Sequence, residues 1–75
     1  MKTWWVEYEW TCEIEDTTTG KWFEERDCDA CRLQCLKKNI PEVVRSHIAD
    51  ELRYEKYKNL KINIIDVYET TEYEI

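Results

Sequence analysis

The residues best equipped for chemistry in this chain of 75 residues are four cysteines, Cys12, Cys28, Cys31 and Cys35. A C-x₂-C-x₃-C run with one distant thiol has the ligand number of a structural zinc site. No second C-x-x-C pair accompanies it, and no Gly or Pro follows Cys28 or Cys31 to shape a knuckle. The spacing also differs from the C-x₂-C-x₂-C run of iron–sulfur proteins. Helical periodicity accounts for the three clustered thiols without a metal, and free cysteine is among the most often buried residue types. The expectation is reduced, buried thiols and no cofactor, with a zinc set of Cys12, Cys28, Cys31 and Cys35 as the alternative.

Catalytic groups are sparse. His47 is the one histidine, and its neighbour Ser46 would point about 100° away from it on a helix. A Ser-His-acid constellation needs convergence in space that adjacency does not supply. A chain with one glycine cannot build a glycine-rich phosphate loop. These absences point away from an enzyme.

Carboxylates form a second constellation. Glu7, Glu9, Glu13 and Glu15 recur with period two beside Trp5. On a strand they would share one face, about 6.6 Å apart along the chain and about 4.8 Å from the next strand. Trp22, if it points the same way, would add a second aromatic. Such an array could imitate a phosphate backbone and be steered to a basic groove on another protein. Tryptophan is enriched at binding hot spots. The plainer account is the wetted side of a one-sided antiparallel sheet.

A third constellation is basic. Arg45, Arg53 and Lys56 fall near one line of a helix, with Arg32, Lys37 and Lys38 before it. Glu42, Asp50, Glu51 and Glu55 are interleaved and dilute the stripe. The net charge of −6 disfavours a general nucleic-acid or anionic-membrane binder. That total is segregated: residues 1–31 carry nine acids and three bases, and residues 32–61 carry eight bases and four acids.

The elements that must position these groups follow from periodicity. Trp4, Val6, Tyr8, Trp10, Cys12 and Ile14 alternate with the acidic set, so residues 4–15 read as a strand with one apolar face. Asp16-Thr17-Thr18-Thr19-Gly20 reads as a hairpin loop, and 21–26 as the return strand, with Phe23 or Trp22 facing the core. Asp27 or Asp29 would cap a helix from Cys28 whose stripe is Cys28, Cys31, Cys35 and Leu36. Pro41 opens a second helix with a stripe of Val44, Ile48 and Leu52, ending near Asn59. Leu60-Lys61-Ile62-Asn63-Ile64 and Ile65-Asp66-Val67 alternate in conflicting phases, which implies a bulge or a buried stretch. Residues 68–75 are strand-prone.

The expected architecture is one α+β domain spanning 1–75, with order β-β-α-α-β. It is a three-stranded, mainly antiparallel sheet, first strand central, with two helices on one face. No run of about 18 apolar residues offers a membrane span. No apolar export segment follows Met1, so the expected compartment is the cytoplasm. The functional expectation is a small, acidic, non-enzymatic binding protein. Its sheet face (Trp5, Glu7, Glu9, Glu13, Glu15, Trp22) would engage a protein partner, as a phage or mobile-element inhibitor occupying a nucleic-acid-binding groove would. The alternative is a zinc-stabilised or nucleic-acid-binding module. The last strand's edge leaves room for a homodimer by strand pairing.

Overall fold

Thirteen residues of uninterrupted alternation dictate the architecture. In the computed structural model, which describes residues 2–70, β1 spans Thr3–Glu15 and buries every second residue. It lies at the centre of a three-stranded sheet of order β2-β1-β3, antiparallel on both sides. β2 spans Trp22–Gln34 and β3 spans Tyr57–Thr70. A 3₁₀ turn, Lys37–Asn39, leads into an α-helix, α1, Ile40–Glu51. The fold is therefore α+β with order β-β-α-β.

The hairpin loop falls where the turn residues put it. Asp16 accepts the Thr18 and Gly20 backbone N–H groups, and Gly20 adopts a positive φ of 72°. α1 begins as Pro41 requires, with proline in its first turn, and buries Ile40, Val44 and Ile48, joined by Leu52 just beyond its end. These pack against Trp4, Val6, Tyr8, Trp10, Cys12 and Ile14 of β1 and Cys35 after β2. The Trp4 indole Nε1 donates to the Cys35 carbonyl at 3.0 Å, fixing the chain where it leaves β2 for the helix.

Two expectations fail here. Among the described residues only one α-helix covers the sheet, because residues 28–34 continue β2 instead of coiling. The Cys28, Cys31, Cys35 spacing fits a helix stripe, but thirteen residues of β1 need partners of matching length, and tertiary pairing overrides local pattern. In the strand, Cys31 and Leu33 sit beside Val6 and Trp4 on the core face, while Cys28 and Arg32 sit beside Glu9 and Trp5 on the other. Asp27 and Asp29 do accept the following N–H groups, of Cys28 and Ala30, at 2.8 Å each, but as side-chain caps on a strand edge. The second correction concerns Asn59. α1 stops at Glu51, and Asn59 lies inside β3 with a φ of 57°.

The phase conflict in β3 is a bulge. Glu7 faces Asp66 and Tyr8 faces Ile64, leaving Ile65 unpaired and 56% exposed. A second irregularity lies between Thr11, opposite Lys61, and Glu13, opposite Lys58. The strand-prone residues 71–75 lie outside the described residues. No helix among the described residues is long and apolar enough to cross a membrane.

Candidate interaction face

One face of the sheet carries α1, and nothing among the described residues covers the other. A helix packs on one face of a sheet, and at about 18 Å α1 covers less than half of the roughly 43 Å length of β1 even there. The pairing register fixes who shares the open face, since directly opposite residues point the same way. Trp5, Glu7, Glu9, Thr11, Glu13 and Glu15 run along its centre, each half-buried. From β2 come Arg32, Ala30, Cys28, Arg26, Glu24 and Trp22, and from β3 come Tyr68, Asp66, Asn63, Lys61 and Lys58. All six expected binding residues thus sit on one surface. The Trp22/Phe23 ambiguity resolves with Trp22 on this face and Phe23 opposite Ile14 on the core side, where the sheet margin leaves it 47% exposed.

The carboxylates are held in place. Glu7 accepts the Trp5 indole N–H at 3.2 Å, and Glu9 accepts the Asn63 amide at 3.0 Å. Glu13 accepts the Asn59 amide. These three donors are neutral, so they orient the carboxylates without cancelling their charge. Glu15 differs, with Lys56 at 3.7 Å. Lys58 turns over the Trp22 ring, 4.1 Å from its centroid, so the second tryptophan is braced by a cation. A shallow depression bounded by Thr11, Glu13, Glu24, Asn59 and Lys61 crosses the face from β2 to β3 over the carboxylate row.

The sequence reading missed the cations of this face. Arg26, Arg32, Lys58 and Lys61 flank the central carboxylates, so the surface is a mosaic with an acidic spine. Their alternation was visible (Lys61 and Asn63 against Leu60, Ile62 and Ile64), but which strand lies beside which is not a local property.

The thiols do not converge. Cys12 and Val6, the partner of Cys31, are six positions apart on β1, roughly 20 Å. Cys28 opens on the opposite face, and Cys35 is buried beyond the end of β2. Among the described residues no group of three His, Cys, Asp or Glu side chains could hold a metal ion. Burial pushes the Cys12 thiol up, with Glu25 adding to it; burial and then Asp29 do the same to Cys31. The Tyr8 hydroxyl is buried without a hydrogen bond of good geometry. The Cys31 thiol is close enough to perturb it, and desolvation chiefly raises its ionisation well beyond the ordinary phenol range.

The basic helical surface is engaged locally. Arg53 pairs with Asp50 at 3.2 Å and stacks on Tyr54 at 4.8 Å, while Lys56 reaches Glu15. His47 is exposed and lies 3.6 Å from Glu51 one turn on. No protein-family model, curated protein or solved structure matches the chain.

Proposed function

We propose that the chain is a non-enzymatic binding protein whose open sheet face docks on a protein partner with a basic groove, of the kind that holds nucleic acid. One observation carries the reading: an uncovered face the full length of β1, with a spine of carboxylates oriented by neutral donors and a tryptophan toward each end. Pre-oriented carboxylates lose little rotamer freedom on docking, which removes part of the cost of association. Long-range attraction to a basic partner speeds encounter, and Trp5 and Trp22 supply the apolar contact that electrostatics alone does not. The flanking cations fit register selection, since they would repel a partner misplaced sideways on the groove.

Triple reversal Glu7→Lys, Glu9→Lys and Glu13→Lys tests it. The expected result is an unchanged circular dichroism spectrum together with lost capture of a basic protein from the source cell, and lost displacement of nucleic acid from that protein. Wild-type capture should weaken steeply with salt. A folded triple variant that captures and displaces as the wild type does would overturn the proposal.

A further inference from the structure

The two outer edges of the sheet are built differently, and the difference assigns a partner to one of them. In an antiparallel ladder a residue's N–H and C=O point to the same neighbour, and successive residues alternate sides. Cys28 and Ala30 give their N–H groups to Asp27 and Asp29, so they face away from β1. That edge is plugged and lined with acid, since Glu24 and Glu25 precede the two aspartates. A second copy of β2 laid against it would meet like charge, a device that keeps edges unpaired.

The same alternation runs through β1 into β3. Trp10 and Tyr8, opposite Asp27 and Asp29, turn to β2, so Glu9 and Thr11 turn to β3 and meet Asn63 and Lys61. Ile62 between them therefore points its N–H and C=O outward. Asp66 plugs only the Val67 N–H, at 2.9 Å, beyond the Ile65 bulge. Among the described residues no side chain plugs the stretch from Tyr57 to Ile64, which is left as an open edge.

We propose that this edge pairs with the same edge of a second copy of the chain, antiparallel, about a two-fold axis at Ile62. The strand is a near-palindrome about that residue. With Ile62 opposite itself, Leu60 meets Ile64 of the second copy, both partly buried in the core face. Lys58 meets Asp66 of the second copy, and both lie on the open face, opposite Glu13 and Glu7. Tyr57 meets Val67, both on the core face. The irregularity between Lys58 and Lys61 falls against the Ile65 bulge, so the two departures from regular pairing coincide. Charge and bulge position select this one register and one occupant; sliding the strands by two residues still sets apolar residues opposite one another, but it separates Lys58 from Asp66 and the bulge from the second irregularity. The product is a continuous six-stranded sheet whose open faces join. This dimer rests on the strand edge and stands or falls independently of the docking face.

A charge-swap cycle read by sedimentation equilibrium tests it. Lys58 and Asp66 are both exposed, so each can be reversed without opening the core. The expected result is a concentration-dependent wild-type dimer. Lys58→Glu and Asp66→Lys each weaken it about tenfold, because each pair occurs at both ends of the seam. The double variant restores it, although it too lacks the Lys58–Trp22 contact and the Asp66 plug. A chain that stays monomeric at millimolar concentration, single reversals without effect, or a double variant as weak as either single would overturn the proposal.

Discussion

The two faces of β1 share one backbone and obey one period, yet they do different work. The core face holds Trp4, Val6, Tyr8, Trp10, Cys12 and Ile14, none more than 8% exposed. The open face holds half-buried carboxylates that touch amides, an indole and one lysine. Apolar burial gives the first face its energy, whereas the second keeps its carboxylates half in water, where burial contributes less. The register alone decides which set meets the core, because slipping β1 by one residue would exchange the two sets completely.

The contrast is broken most sharply from the helix side. Ile48 is fully buried at the junction of α1 and the sheet. Ile48→Ala removes methyl groups that nothing can replace and should cost about 2–5 kcal/mol. Glu9→Gln on the open face keeps shape and hydrogen bonding and should change stability by less than about 0.5 kcal/mol. Urea unfolding of the two variants measures both. Comparable losses would mean that the open face also contributes to folding.

Raising the pH tests the core face through three of its buried groups. Cys12, Cys31 and Tyr8 all have ionisations raised in the folded state, chiefly by burial. The unfolded chain therefore loses these protons first. The stability they confer is fully present below the unfolded thiol value of about 8.5 and falls as pH rises beyond it. Thermal melts should hold steady from neutral pH to about pH 8 and drop progressively above it. Cys12→Ala combined with Cys31→Ala should flatten the first part of that drop.

What could be read from the sequence followed the same division. β1, the hairpin at Asp16–Gly20, the Pro41 helix start and the β3 bulge were all legible, because each depends on neighbours in sequence. So was the shared face of Trp5, Glu7, Glu9, Glu13 and Glu15, although Trp22 was left open. Residues 28–34 were not, since Cys28, Ala30 and Arg32 become a strand only by pairing with Glu9, Glu7 and Trp5, more than fifteen positions away. Their aspartates sent a true local signal, a carboxylate accepting the next N–H, which serves a helix start and a strand edge alike. The cations beside the carboxylate spine were hidden for the same reason.

A small expected effect within the core face itself sharpens the comparison most. Tyr8 is the one core-face residue of β1 with a buried polar atom lacking a well-formed partner among the described residues. Trp4, on the same row, has its indole N–H satisfied by the Cys35 carbonyl. A buried hydroxyl without a partner costs about 1–3 kcal/mol in lost hydration, offset in part by its contacts with the surrounding atoms. Tyr8→Phe removes the hydroxyl and leaves the ring, so stability should stay level or rise by up to about 1 kcal/mol. It also removes the one neighbour that eases Cys31 ionisation, so the Cys31 thiol should react more slowly with a disulfide reagent at alkaline pH. A Tyr8→Phe protein that melts well below the wild type would show that the hydroxyl has a stabilising partner, and that this face relies on polar order as the open face does.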